Sequence, residues 1–328
     1  RVNSSVAVTP NAVVAPDGTM TADKLIEPAI LTSPTIIQNT AVTIVNASYS
    51  ISAHAKPDGR NFVRLQLEST IGTVYAGARF NLATGAVVGI DIVVTNGGSN
   101  PVATITPAAN GFFRVSLTAT LPAGALLRGA YRLMENATGF SYTGDGASGI
   151  YIWGAQLEAG AFPTSYIPTE ASQVTRAADM ATVDTLSPWY NATEGALVVR
   201  FVLGQPGVST LNQHAAAFSD GGFNNYLAIR KQANTTIRGQ SVVAGDVQAD
   251  ITSGAAAAST MKVAFSYKAD SFALSQNGSV AVTDLTGTLP VVDRLDIGRL
   301  SGAGQYLNGT IASLEYYPRV IDVQQASA

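Results

Sequence analysis

Apolar and polar residues alternate along most of the chain, and sustained helical spacing is nearly absent. Between Phe112 and Leu121, Phe113, Val115, Leu117, Ala119 and Leu121 fall on one side. Phe112, Arg114, Ser116, Thr118 and Thr120 fall on the other. Successive strand side chains point to opposite faces, so this spacing predicts a half-buried strand. Val63, Leu65 and Leu67 alternate with Arg64, Gln66 and Glu68 in the same way, and Leu197–Leu203 and Met261–Tyr267 repeat the pattern. Turn chemistry separates these runs at Pro57-Asp58-Gly59 and Asn110-Gly111. Asn277-Gly278 predicts a hairpin between Phe272 and Val282, because both residues tolerate the positive φ of a type I′ turn.

Many short strands with such turns imply antiparallel sandwiches or barrels. No short-period repeat is present, which argues against a solenoid or propeller. The alternation lapses between about Pro163 and Val183, in a stretch that also holds Pro168. The predicted fold is therefore all-β, two tandem antiparallel β-sandwiches over residues 1–168 and 183–328, joined by an extended linker, 169–182. A length of 328 residues suits two domains, at roughly 100–200 residues each.

Composition narrows the function. Charged residues make up 12% of the chain, about half the usual ~25%, and Gly, Ser, Thr, Asn and Ala take their place. Such a surface suits neutral sugars or packing in an assembly. Net charge is −3 and no Lys/Arg cluster runs along the chain, so the basic stripe that nucleic-acid binding needs is not visible. There is no cysteine, which excludes disulfides and thiolate metal sites. No run of ~18 apolar residues exists, so membrane insertion is not expected. No signal peptide is visible, and the chain opens at Arg1, so a native N-terminal segment is expected to be missing.

The run Gly144-Asp-Gly-Ala-Ser-Gly-Ile-Tyr-Ile-Trp153-Gly-Ala-Gln-Leu-Glu158-Ala-Gly resembles the closing strand of carbohydrate-binding-module-like jelly rolls in phage tail and head-fibre proteins. Pro163-Thr-Ser-Tyr-Ile-Pro168-Thr, Val174-Thr-Arg-Ala-Ala-Asp179, Ala78-Arg-Phe-Asn-Leu-Ala-Thr-Gly85 and Asn110-Gly-Phe-Phe-Arg114 extend the likeness. The second half resembles laminin-G-like, concanavalin-type sandwiches through Trp189-Tyr-Asn-Ala-Thr-Glu-Gly195, Leu295-Asp-Ile-Gly-Arg299, Tyr306-Leu-Asn-Gly-Thr-Ile311 and Leu314-Glu-Tyr-Tyr-Pro-Arg319. The resemblance implies a jelly roll followed by a concanavalin-like sandwich, in a virion fibre or spike. It does not identify a ligand, because these folds host binders, assembly modules and enzymes alike.

Catalytic patterns are missing. A glycoside hydrolase needs two carboxylates flanking one bond, and no Glu-x-Asp-x-Glu run occurs. The closest acidic pairs, Asp246/Asp250 and Asp293/Asp296, read as solvated loop pairs. His54 and His214 are the only histidines, no Gly-x-Ser-x-Gly elbow exists, and both imidazoles read as surface or structural groups. The chain is not expected to be an enzyme, and no cofactor is required. Given the resemblance, a structural calcium could draw on Asp23, Asp145, Asp179 and Asp220; otherwise these residues simply shape turns.

Sugar binding needs a flat ring for the C–H face beside groups that bond hydroxyls. Asp220, Phe223, Asn224, Asn225 and Tyr226 supply both in one loop, and Tyr142 with Asp145 form a second neighbourhood. Tyr151, Trp153 and Leu157 share one predicted strand face and read as core, and Trp189 reads as a plug of the second sandwich. The resulting expectation is a virion-surface component, made in the host cytoplasm, that binds host cell-surface polysaccharide. It would associate with other virion subunits as a homo-oligomer, a trimer because the resembling fibres are commonly three-fold. A purely structural spacer or decoration module is the alternative, and a polysaccharide depolymerase a third reading.

Overall fold

The computed structural model describes residues 3–71, 73–92, 97–170, 172–203, 212–233, 236–255, 260–302 and 304–328. The chain divides into two compact units, Arg1–Thr175 and Arg176–Ala328. Both are built almost wholly of antiparallel strands.

The first unit contains β1 (Asn3–Ser4), β2 (Ala7–Val13), β3 (Ala22–Ile26), β4 (Leu31–Thr32), β5 (Thr35–Thr43), β6 (Ala47–Asp58), β7 (Phe62–Ser69), β8 (Val74–Asn81), β9 (Ala86–Ile92), β10 (Ser99–Pro107), β11 (Phe113–Leu121), β12 (Leu126–Met134), β13 (Tyr142–Thr143) and β14 (Gly149–Ala159). Two six-stranded sheets, ordered β1-β5-β12-β7-β8-β9 and β10-β11-β6-β14-β3-β2, form the sandwich. Val63, Leu65 and Leu67 of one sheet meet Ile51, Ala53, Val115 and Leu117 of the other in a single buried core. Tyr131 crosses this core, donating its hydroxyl proton to the Ser52 carbonyl at 3.0 Å. The Asn110-Gly111 turn is present, with φ of 58° and 76°.

One face assignment changes. Ile150 and Ile152 face the main core, whereas Tyr151 and Trp153 pack in a separate outer cluster with Phe112. Leu157 nevertheless packs on the main core. The pairing of β14 with β6 slips between Trp153 and Gln156, where Gly154 adopts φ +61°. A bulge of this kind inserts residues and resets the alternation, so Trp153 and Leu157 lie on opposite faces. After β14, Thr164 and Ile167 are tied down by Glu158 and Gln156, and Arg114 donates to the Thr164 carbonyl. The Pro163–Pro168 stretch thus lies against the outer side of this sheet, and Tyr166 packs 4.6 Å from Trp153.

The second unit contains β15 (Ala181–Val183), β16 (Glu194–Leu203), β17 (Gln213–Ser219), β18 (Tyr226–Lys231), β19 (Thr236–Val243), β20 (Asp246–Ala255), β21 (Thr260–Lys268), β22 (Ser271–Gln276), β23 (Val282–Asp284), β24 (Arg294–Ile297), β25 (Gly309–Tyr317) and one short helix, α1 (Val323–Ser327). Its sheets run β15-β24-β17-β18-β19-β20 and β23-β22-β21-β16-β25. Leu197, Val199, Phe201, Phe218, Leu227, Val263 and Phe265 fill the space between them. Trp189 packs on the edge of this core against Tyr316, Phe218 and Tyr190. Asp322 caps α1 by accepting from the amides of Gln324 and Gln325, and Val323 packs on Val198 and Ala264.

The Asn277-Gly278 hairpin forms with both residues at positive φ, but Leu274 pairs with Val282. That is one residue out of the register a bare two-residue turn would give. Ser275 donates to the Ser279 carbonyl across the widened turn.

Leu117 is fully buried in the middle of the first core. Leu117→Ala should destabilise the first unit by about 2–5 kcal/mol, read from chemical denaturation. A loss under about 1 kcal/mol would mean that the two sheets do not share this core.

Candidate functional site

The loop after β17 holds the first predicted neighbourhood. Asp220 accepts from the Gly222 amide at 2.8 Å and from the Asn225 side-chain amide at 2.8 Å. The Asn225 bond, then burial working against it, then the Gly222 amide set its titration, and the balance lies below the ordinary carboxylate range. Asn225 in turn accepts from the Ala244 amide, and the Asn224 carbonyl accepts from Gly245. These bonds stiffen the loop while occupying much of its polar chemistry. Phe223 remains 47% exposed, its ring centroid 5.7 Å from that of Tyr226. Tyr226 is only 4% exposed and donates to Gln240 at 2.7 Å, so it supports Phe223 from below and does not offer a face of its own.

The second neighbourhood is closed. Tyr142 is 5% exposed and donates to the buried Glu27 at 2.7 Å. Glu27 also receives two bonds from Arg60, at 2.7 and 2.6 Å, and the Asp145 amide at 2.9 Å. Burial and the Glu27 contact push the Tyr142 hydroxyl well above its ordinary range. The Asp145 carboxylate accepts from the Ser148 hydroxyl and from the amides of Ser148 and Ala147, which hold it far below the usual range. Both residues therefore hold a loop together.

Neither acidic pair is wholly a solvated loop pair, although Asp293 is exposed outside any strand and pairs with Arg294. Asp246 and Asp250 both lie on β20, with a bulge at Gln248 between them, and Asp250 is ion-paired with Arg238 at 2.5 Å. Asp296 is fully buried on β24. It accepts from the hydroxyls of Ser219, Ser301 and Thr182 and from the Ser301 amide, with Arg299 at 3.4 Å. Burial alone would raise its carboxyl; the Ser301 and Ser219 bonds and Arg299 overrule this and hold it low. Ser219 also receives the Gly221 amide, so this buried carboxylate anchors the base of the Phe223 loop.

Of the calcium candidates, Asp23 accepts from the Asn11 amide and Asp179 from Arg176. Among the described residues no group of three or more His, Asp or Glu residues could hold a metal ion. His54 packs against Trp153 at 5.2 Å, and burial with Arg114 nearby lowers its pKa. His214 is not a surface group. It is fully buried on β17, with the Tyr226 ring 6.1 Å away and Arg230 as its Cα partner on β18.

Sequence reading missed one charged array altogether. On the outer side of the first sheet, Arg128 donates to Glu68 at 3.1 and 2.6 Å, and Arg64 and Arg79 reach Asp91 at 3.2 and 2.9 Å. Arg132 donates to Gln66. Its signal was present in the polar positions that alternate with the β7 core residues, but their partners lie on β8, β9 and β12.

Two β-sandwich units define the chain as an all-β protein of paired sheets. No family model and no curated protein matches it. Solved structures with partial likeness include the NanB sialidase of Streptococcus pneumoniae (K499G mutant), at TM-score 0.37 and 17% identity over 45% of this chain. The chain covers 26% of that sialidase. The CBM40 of Ruminococcus gnavus IT-sialidase bound to α2,6 sialyllactose gives TM-score 0.37 and 13% identity, over 47% of this chain and 96% of that one. Mouse laminin α1 domains LG4-5 give 0.34 and 12%, over 88% of each chain. All three TM-scores lie below 0.5, so no ligand or activity is carried across from them.

Two outcomes follow from the buried groups. Burial, with the Arg230 guanidinium beside it, pushes His214 down to about 3. An unfolded imidazole titrates near 6.5, so between these values the unfolded chain binds the extra proton. Stability of the second unit should therefore fall on acidification from pH 6.5 toward 3, by roughly 3–5 kcal/mol from this group. Thermal melts across that range should show the slope, and His214→Gln should flatten it; an equal slope in the variant refutes the assignment. Removing a partner from a buried ion pair typically costs about 3–5 kcal/mol. Arg60→Ala should destabilise the first unit by that order in urea titrations, and a loss below about 1 kcal/mol would show that Glu27 is solvated.

Proposed function

We propose that the chain is a non-catalytic carbohydrate-binding component of a phage-type virion fibre or spike, contacting host surface polysaccharide. The observation that carries this reading is Phe223. It is a large exposed aromatic at the tip of a loop fixed by Asp220, Asn225 and the buried Asp296. A ring presented on a rigid support offers an apolar face to sugar C–H groups at little entropic cost. Single contacts of this size are weak, and repeated copies on an assembly would supply the avidity. The purely structural reading draws support from the Glu27 cluster, which ties up the Tyr142 and Asp145 loop.

A neutral-glycan array probed with the multimerised chain should give binding that Phe223→Ala reduces at least tenfold without altering the melting temperature. Silence of the wild-type chain, or binding untouched by Phe223→Ala, would favour the spacer.

A further inference from the structure

The outer face of the first sheet carries like charges in direct opposition. Arg132 on β12 is the Cα partner of Arg64 on β7, and Arg64 is the partner of Arg79 on β8. Three guanidinium-bearing positions therefore stand side by side across three adjacent strands. Like charges directly opposite on a sheet are destabilising, so this row needs compensation. Asp91 bridges two of the three, at 3.2 Å from Arg64 and 2.9 Å from Arg79. Arg132 has only Glu68 at 4.0 Å, and Glu68 is already engaged by Arg128. With Arg128 included, four guanidiniums face two carboxylates, an excess of two positive charges in a chain whose net charge is −3.

The backbone beneath is shaped for these side chains. A Cβ on Gly77 would sit 2.5 Å from an Arg64 terminal nitrogen, and one on Gly89 would collide with an Arg79 terminal nitrogen. Both guanidiniums therefore lie flat over bare glycine backbone. Arg79 also donates to the Ala137 carbonyl, and Phe140 brings its ring under the Arg64 guanidinium at 4.5 Å. Phe140 is itself 40% exposed. Arg64 is only 8% exposed, and its Nε has no hydrogen-bond partner. Among the described residues Arg132 hydrogen-bonds only to Gln66, through Nε, and one of its terminal nitrogens lies 4.0 Å from Glu68, too far for a hydrogen bond, so the terminal nitrogens keep donors for a ligand.

We propose that this face binds an acidic saccharide, with its carboxylate or sulfate seated between Arg132 and Arg64 and its ring beside Phe140. Guanidiniums bind planar oxyanions in two-pronged fashion, and a pre-positioned pair loses little freedom on doing so. The exposed aromatic supplies the apolar surface that a sugar ring needs and a free inorganic anion does not. The site rests on the reading of the chain as a glycan binder but lies in the other unit from Phe223, so the two can fail separately.

Calorimetric titration of the full chain with oligogalacturonate, a heparin-derived oligosaccharide and neutral maltooligosaccharide tests it. One or both acidic ligands should bind, weakening as salt rises, and the preferred one identifies carboxylate or sulfate as the natural group. In Phe223→Ala, which removes the other proposed contact, the neutral sugar should bind at least tenfold more weakly than the acidic ligands. Arg132→Gln and Phe140→Ala should each weaken the acidic ligand at least fivefold with unchanged melting temperature, while Phe223→Ala leaves it intact. The proposal is overturned if neither acidic ligand binds the folded chain at millimolar concentration. It is equally overturned if Phe223→Ala binds the neutral sugar as tightly as the acidic ligands, or if Arg132→Gln binds the acidic ligand like wild type. Acidic binding alongside a silent neutral array would remove the Phe223 reading alone.

Discussion

A carboxylate withdrawn from water without donors carries a penalty of several kcal/mol; among the described residues the first unit buries Glu27 and Glu68, and the second buries Asp296. Glu27 gathers Arg60, the Tyr142 hydroxyl and the Asp145 amide. Asp296 gathers Ser219, Ser301, Thr182 and Arg299. Some of these donors are distant in sequence, Arg60 and Tyr142 for Glu27 and Thr182 and Ser219 for Asp296, so satisfying each charge ties separate segments of the chain together. The strands themselves need only the two-residue period to find their cores. The loops have little apolar content to fold around, and the two carboxylates hold them in its place. This separates loops that are closed by their own chemistry from those that still present a side chain. The Tyr142–Ser148 segment belongs to the first kind, and the loop bearing Phe223 to the second.

The architecture was legible because alternation survives in almost every strand. Val115, Leu117 and Ala119, or Leu197, Val199 and Phe201, point where their spacing says they should. Legibility failed where one residue changes the parity. Gly154 resets the faces of β14, and the turn at Asn277-Gly278 gains a residue, because a bulge leaves no signature in the apolar pattern around it. It failed again where a partner set is assembled by folding. Asp296 looked like half of an exposed pair with Asp293, since nothing near it in sequence announces Thr182 or Ser219. Tyr226 and Tyr142 looked available for a ligand because the composition of a loop does not reveal which of its rings is turned inward.

The arginine row is the clearest case of information held only in register. The chain carries no basic run, and Arg64, Arg79 and Arg132 are spread over 69 positions of sequence. Strand pairing aligns them, and Gly77 and Gly89 make room for two of them to lie down. A sparsely charged surface makes such a local excess more effective, because few other charges compete for an approaching anion. The chain thus offers two chemically different surfaces, an apolar ring on a fixed loop and a cationic sheet face.

Amide-resolved NMR of the isotopically labelled chain, titrated with oligogalacturonate, would test most directly where a saccharide meets this protein. The account predicts saturable shifts centred on Arg64, Arg79, Arg132 and Phe140, with the Tyr142–Ser148 loop silent. Shifts centred on that closed loop, or none at any residue of the arginine row, would contradict it.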